Sequence, residues 1–149
     1  MGLELIVRKT VTERVEKLVR KTELKKITKN LLKDLGSENQ VVSLLITDNS
    51  EIQQLNKDYR KKDKPTDVLS FPQVGDFGVD TGEIGDIVIS QDKVETQARE
   101  YQVSERDEFF RLFIHGLLHL HDYEHEGVSE DEIRKMQDKE AELFSKYVE

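Results

Sequence analysis

The 149-residue sequence predicts an α+β fold in which helices pack on a small mixed sheet of about four strands. Two observations carry this prediction. Short apolar runs of strand length alternate with longer segments whose apolar residues recur every three or four positions. One longer segment, Phe109–Leu120, is apolar on almost every face, which is typical of a buried helix. At this length residues 1–149 are expected to form a single domain with one core.

The first half of the chain predicts two strands, each followed by a helix. Leu3–Val7 and Val41–Thr47 are the two runs of strand length. Between them, apolar residues recur at helical spacing up to Gly36, a typical residue just past the end of a helix. These periodic residues are Val11, Val15, Leu18, Val19, Ile27, Leu31 and Leu32. The second helix follows a turn and N-cap formed by Asp48, Asn49 and Ser50, and it carries Glu51, Ile52, Leu55 and Tyr59.

The second half predicts two strands and three helices. The strands are Val68–Phe71, closed by Pro72, and Ile84 with Asp86–Ser90; the loop Gln73–Gly82 separates them. A helix then runs from Ser90 to about Val103. Ser104 is a typical N-cap for the apolar helix that follows, and Ser129 for the last one, because acids fill both first turns.

Composition limits the classes of protein that fit. Hydrophobic residues make up 36% of the chain and no run approaches the ~18 apolar residues of a membrane span, so we expect a soluble protein. Met1–Arg8 has an acid within its apolar stretch and is not expected to be a signal peptide. The absence of cysteine excludes disulfides and thiolate ligands and favours a cytoplasmic protein.

Charge is unevenly distributed along the chain. The net charge of −8 argues against a nucleic-acid partner, because lysine and arginine provide phosphate binding. However, ten basic residues lie between positions 8 and 33, and four more lie within Arg60–Lys64. The N-terminal group has the spacing of a solvated helix face, whereas a local phosphate-binding surface is compatible with the second group.

The three histidines His115, His119 and His125 are the most informative residues. Positions 115 and 119 share one helix face, and a turn after the second histidine would bring the third to the same point. Three imidazoles leave an open position on zinc, as catalytic zinc sites do. A pair of hydrogen-bonded core histidines is the alternative, but the third histidine favours a metal. His121 is expected to lie outside the site, and Asp122 tolerates the left-handed turn.

Zinc held by three neutral imidazoles could activate water without a neighbouring carboxylate, since it lowers the pKa of bound water to about 7. In zinc peptidases with the His-Glu-x-x-His motif, a glutamate follows the first histidine as the general base, but here that residue is Gly116. Phosphodiester cleavage would suit such a site, with an arginine to balance charge on the phosphoryl oxygens. Arg60 is the candidate, although an exposed surface charge is its simpler interpretation. The same ligands would also suit nickel, copper or cobalt.

Several segments together resemble the bacterial YbeY family of rRNA maturation factors and single-strand-specific endoribonucleases. They are Leu55–Arg60, Asp63–Pro72 with its Pro-Thr-Asp-Val-Leu-Ser-Phe-Pro run, Gly85–Ser90 and the histidine run. The resemblance covers about half of the chain. Asp122 stands where the family has glycine, and Glu124 stands where it has aspartate; both changes spare the histidines.

The resemblance implies a zincin-like fold, with one Zn²⁺ per chain bound by His115, His119 and His125. It also implies that Arg60 is the family's functional arginine and that the strand Thr66–Pro72 lines the cleft. The implied function is zinc-dependent cleavage of single-stranded RNA in 3′-end processing of small-subunit (16S) rRNA and in ribosome quality control. The implied partners are single-stranded rRNA and the small ribosomal subunit or its assembly factors, with no DNA and no membrane.

Two other functions stay open from the residues alone. The histidine spacing also suggests a metallopeptidase, against which Gly116 counts because it has no side chain to activate water. A non-catalytic ribosome-assembly factor with a structural zinc is the other alternative.

Overall fold

The computed structural model describes residues 2–73, 82–123 and 129–149. The strands are β1 (Leu3–Val7), β2 (Val41–Thr47), β3 (Val68–Pro72) and β4 (Glu83–Ser90). The helices are α1 (Thr12–Leu18), α2 (Lys21–Asp34), α3 (Asn49–Arg60), α4 (Gln91–Tyr101), α5 (Glu105–Leu120) and α6 (Glu130–Tyr147). None of the described helices is both long and apolar enough to cross a bilayer.

The four strands form one mixed sheet in the order β1-β2-β4-β3. β1, β2 and β4 are parallel, and β3 runs antiparallel to β4 at one edge. The predicted small mixed sheet with packed helices is therefore confirmed. β3 lies at one edge of this sheet and packs against α5. No described strand pairs with its outer side, so this side borders the space next to α5.

Helix α5 lies in the middle of the core, as its apolar sequence predicts. Phe109, Phe110 and Phe113 are fully buried and pack with Ile87 and Ile89 of β4. Because successive strand residues point to opposite faces of a sheet, the intervening Val88 joins a second, smaller cluster with residues of α3 and β3. The sheet is thus covered on both faces.

The predicted helix N-caps are all found where the sequence places them. Asp48, Ser90, Ser104 and Ser129 each accept a hydrogen bond from the backbone N–H three residues later, which satisfies a donor that the helix itself leaves unpaired. Gly36 also ends its helix as predicted, with φ 82° and with the Ser37 N–H donating to the Leu32 carbonyl at 2.7 Å.

The single helix expected before Gly36 is wrong, because the chain forms two helices with a break at Val19 and Arg20. Val19 is extended, with φ −156° and ψ 144°. On one continuous helix, Val15 and Leu24 would lie about 180° apart around the axis. Both are buried in the same core, so the break turns α2 to bring its apolar face inward.

Asp34, the last residue of α2, attaches this helix to α6. Its carboxylate accepts hydrogen bonds from the Tyr147 hydroxyl at 2.7 Å, from Lys146 Nζ at 2.9 Å and from Lys139 Nζ at 3.1 Å. These bonds, that of Tyr147 first, lower the pKa of Asp34 from 3.8 to about 2. The ionised carboxylate is therefore more stable in the folded protein than in the unfolded chain.

We expect Asp34→Asn to lower the free energy of unfolding at pH 7 by about 1–2 kcal/mol. The contribution is fully present above pH 3.8 and is lost as the pH falls towards about 2, so the parent and the variant should converge over that range. Urea unfolding at several pH values measures this difference. Asp138→Asn, at an exposed position of α6, is the matched control. A pH-independent difference between parent and Asp34→Asn would contradict the assignment.

Candidate active site

A cleft of about 550 Å³ lies between the C-terminal end of α3, the edge strand β3 and the exposed face of α5. It brings together Arg60, residues of the segment Thr66–Pro72 and two of the three predicted histidine ligands. Its lining is Asn56, Arg60, Lys62, Lys64, Thr66, Asp67, Val68, Ser70, Pro72, Arg111, Leu112, His115 and His119. The expectation that the strand Thr66–Pro72 lines the cleft is confirmed.

Two of the three predicted ligands, His115 and His119, lie in this cleft one turn apart on α5. Their Nε2 atoms are 3.0 Å apart, and their rings meet edge to face with centroids 4.6 Å apart. Two imidazoles on a tetrahedral zinc, each about 2.0–2.1 Å from the metal, hold their nitrogens about 3.3 Å apart. The pair therefore fits a shared metal with little movement.

The third predicted ligand, His125, lies outside the described residues, as does Glu124. Within the ranges the structure describes, no cluster of three or more His, Cys, Asp or Glu side chains could hold a metal. The turn that follows His119 is described, and Asp122 adopts φ 69° as predicted. The Tyr123 N–H donates to the Leu118 carbonyl at 3.0 Å and the Asp122 N–H to the His119 carbonyl at 3.2 Å, which completes a Schellman-type helix end.

His121 points away from the cleft, as expected. Its Nδ1–H donates to the Leu117 carbonyl at 2.7 Å, and its Nε2 lies 2.7 Å from the Ser37 hydroxyl. A carbonyl only accepts, so Nδ1 carries a proton, and Nε2 pairs with the Ser37 hydroxyl. The Nε2 contact therefore joins the end of α5 to Ser37 just after α2, whereas the Nδ1 bond stays within α5.

Glu140 of α6 is a site residue that the sequence does not reveal. His115 Nδ1 lies 2.5 Å from Glu140 Oε1, and both side chains are about four-fifths buried. Because a carboxylate only accepts, Nδ1 donates, and Nε2 is the nitrogen turned towards His119. Metal-binding histidines commonly donate their second nitrogen to a carboxylate in this way, which sets the tautomer and orients the ring.

Gly116 lies where α5 makes close contact with the sheet. A Cβ atom there would be 3.1 Å from Ile87 Cγ2 and 3.1 Å from Ser70 Oγ. The Ser70 hydroxyl also donates to the Gly116 carbonyl at 3.3 Å. The helix face on which a peptidase carries its catalytic glutamate therefore packs against β3 and β4. The chain lacks this general base at position 116, and the packing leaves no space for one.

Arg60 is the last residue of α3, and its exposed side chain lines the same cleft as the two histidines. The chain then turns at Lys61, which has φ 58°, and continues past the cleft-lining Lys62 and Lys64. Asn56 supports this turn, since its buried Nδ2 donates to the Lys64 carbonyl at 2.9 Å. The helix end and the basic loop are therefore held in one place.

The cleft is locally basic in an acidic protein. Among its described lining residues, four are arginine or lysine and one, Asp67, is acidic. The pKa of Arg111 is raised, chiefly by hydrogen bonds to Glu108, which keeps its guanidinium charged. By contrast, the N-terminal lysines of α2 lie on its solvated face, as predicted. Arg60, Lys62, Lys64 and Arg111 thus concentrate positive charge on this cleft.

We expect Gly116→Ala to lower the free energy of unfolding by about 1–2 kcal/mol, because Ile87 and Ser70, 3.1 Å from the new methyl group, must each shift within a packed core, at a cost greater than the roughly 1 kcal/mol that alanine gains over glycine in a helix. Gly116→Glu should be destabilised further and should not cut casein, although it restores the peptidase motif. Chemical unfolding and a casein assay measure the two effects. A Gly116→Ala protein more stable than the parent would show that α5 can move off the sheet at no cost.

We expect Glu140→Ala to weaken metal binding by about 10- to 100-fold, because His115 loses the group that orients it. Titration of the apoprotein with zinc in competition with a chromophoric chelator measures the affinity. Glu142→Ala is the matched control, since Glu142 lies on the same helix and bonds Lys139 instead. Equal affinities for the two variants would remove Glu140 from the site.

Comparisons with known proteins point to one family. A family model described as Endoribonuclease YbeY matches residues 8–148. Curated relatives of that name include one from Aquifex aeolicus, 48% identical over 128 residues, which are 86% of this chain and 84% of the relative. Another, from Syntrophotalea carbinolica, is 43% identical over 125 residues, which are 83% of each chain.

A solved structure also matches over nearly the full length. The solution structure of a Thermotoga maritima protein superposes with a TM-score of 0.57 at 28% identity, covering 97% of this chain and 91% of that one. The family prediction rested on about half of the sequence, whereas the family model spans nearly all of it. The chain belongs to the Endoribonuclease YbeY family.

Proposed function

We propose that this protein is a zinc-dependent, single-strand-specific endoribonuclease that acts in rRNA maturation. The observation that supports the proposal most strongly is the composition of one cleft, in which two imidazoles with the spacing of metal ligands lie beside four basic side chains. The curated relatives are named endoribonucleases, which makes RNA the substrate class. We assign 3′-end processing of 16S rRNA and ribosome quality control from the family resemblance.

The proposed metal ligands are His115, His119 and His125, with one Zn²⁺ per chain. When bound, zinc supplies a Lewis acid that lowers the pKa of water to about 7. The chain's own contribution is orientation, because Glu140 fixes the proton on His115 Nδ1 and Gly116 lets α5 lie close to the sheet. Imidazole ligands without any thiolate are compatible with zinc and do not exclude nickel, cobalt or copper.

Arg60 is the proposed catalytic arginine. Phosphodiester cleavage places extra negative charge on the phosphoryl oxygens, and a guanidinium can donate two parallel hydrogen bonds to them. The support for this role is that Arg60 lines the cleft together with both histidines, at a helix end held by the Asn56 bond to the Lys64 carbonyl.

We assign the preference for single strands from the family resemblance, and one exposed aromatic ring supports it. Tyr59, beside Arg60, is 70% exposed and packs on Phe71 with ring centroids 5.3 Å apart. An exposed aromatic ring next to basic groups is a typical platform for an unpaired base. Phe77 is another aromatic residue of the sequence that could stack on a base, and it lies outside the described residues.

The remaining assignments complete the proposal. We assign a zincin-like architecture in which the ligands lie on α5 and in the turn after it, and a single domain over residues 1–149. The support for one domain is a core that extends from Leu3 to Val148. The proposed location is the cytoplasm, and the proposed partners are single-stranded rRNA and the small subunit or its assembly factors.

The test is cleavage of an end-labelled single-stranded rRNA fragment by the zinc-loaded protein, beside His119→Ala and Arg60→Ala. We expect His119→Ala to lose the metal and all cleavage. Arg60→Ala should keep one zinc per chain and the fold but cleave about 10²- to 10³-fold more slowly, as when one transition-state donor is removed. Metal content by atomic emission and circular dichroism separate these effects.

Arg20→Ala is the matched control, since Arg20 is exposed and makes no side-chain cap contact. Undiminished cleavage by Arg60→Ala would show that Arg60 is an exposed surface charge without a catalytic role. A zinc-bound parent that cuts neither single-stranded RNA nor casein would favour an assembly factor, whereas cutting of casein alone would favour a peptidase.

A further inference from the structure

A buried carboxylate lies next to the cleft and is not explained by the metal site. Glu108 of α5 is only 1% exposed. It accepts hydrogen bonds from Arg111 Nε at 2.8 Å, from Arg111 Nη2 at 2.5 Å and from Gln97 Nε2 at 2.7 Å. Glu108 is thus satisfied on both oxygens, and Arg111 is bound through two of its five N–H donors.

This arrangement holds the guanidinium in one orientation. Burying a carboxylate costs free energy that its ion pair does little more than offset, so stability is a poor explanation for the pair. The ring of Tyr101 lies 5.5 Å from Arg111 Cζ and limits the guanidinium further. An arginine fixed by two N–H donors presents the others in a defined direction, as the pairing of a guanidinium with two oxygens of one phosphate requires.

The position of Arg111 indicates what it faces. Arg111, His115 and His119 are spaced four apart and form one row along α5, with about 6 Å of helix rise between neighbours. All three line the cleft, and the Arg111 side chain is 43% exposed. Arg60 enters the same cleft from α3, so two arginines reach it from different helices.

The surrounding charges favour an anion at this point. Lys62 and Lys64 line the cleft with Arg111, and Asp67 is the acid among its described lining residues. Asp67 is held at the start of β3, where its Oδ1 accepts from the Val68 N–H at 2.8 Å. Glu108 is buried and engages Nε and Nη2, so it offsets part of the Arg111 charge but leaves the other N–H donors of the partly exposed guanidinium to meet a ligand.

We propose that Arg111 is a second phosphate-binding residue, which holds a backbone phosphate of the RNA one helical turn away from the histidine pair. This role rests on the proposed nuclease function and adds to it a positioning residue for the substrate strand. Arg111 acts on binding, so its loss should raise KM and leave kcat little changed, in contrast to Arg60.

The experiment measures the affinity of zinc-loaded protein for a fluorescein-labelled single-stranded RNA by anisotropy, read in the first seconds after mixing and repeated over a series of salt concentrations. We expect Arg111→Gln to bind at least about 10-fold more weakly. The slope of log K against log salt should fall in magnitude by about 0.7, the value for one lost phosphate contact on a single strand. Arg111→Lys should keep most of the slope, since it keeps the charge.

Two controls separate this role from a structural one. Arg20→Gln removes the same charge outside the cleft and should leave the slope unchanged. Arg111→Gln leaves Glu108 buried without its partner and could unfold, so the double variant Glu108→Gln/Arg111→Gln, which removes both charges, is measured beside it with zinc content and circular dichroism.

A folded single or double variant with the parent's affinity and slope would overturn the proposal and make the pair a structural ion pair. A parent that cuts RNA while these variants keep its KM would overturn it too, and would leave the nuclease function standing. A parent that neither binds nor cuts RNA would overturn the proposed function, and this role with it.

Discussion

The close contact between α5 and the sheet at Gly116 is the constraint on which the site depends. A helix that is apolar on nearly every face must be buried, and here the distance between helix and sheet is set by the absence of a Cβ atom facing Ile87 and Ser70. Because β3 is an edge strand, the opposite side of α5 at this point still reaches solvent. The position of α5 on the sheet therefore buries one side of the helix in the core and leaves its other side open to the cleft.

Burial of α5 also decides which polar residues it can carry. Each polar group on a buried helix needs a partner, since an unpaired one costs about 1–3 kcal/mol or more. The row formed by Arg111, His115 and His119 has partners of two kinds. On the protein side, Glu108 binds Arg111 and Glu140 binds His115. On the other side, the row faces the cleft, where a ligand can bind. Glu108 and Glu140 lie on different helices, but each orients a side chain of this row towards the cleft.

Local signals in the sequence predict the elements well, because they act over three or four residues. The caps at Asp48, Ser90, Ser104 and Ser129, the helix end at Gly36 and the turn at Asp122 depend on a side chain and its own backbone, and the structure has each of them. The break between α1 and α2 could not be predicted in this way. It depends on both helices packing against the same core, which hydrophobic spacing alone does not show.

The supporting residues of the site were out of reach for a similar reason. Nothing in the acid-rich sequence of α6 separates Glu140, which holds His115, from Glu142, which bonds Lys139. The distinction is made by the crossing of α5 and α6, a tertiary property. Histidine spacing and a family motif can identify the groups that meet the ligand, but the groups that orient them are chosen by packing. An acidic chain can therefore contain a basic cleft, because some of its acids lie behind the cleft residues and hold them in place.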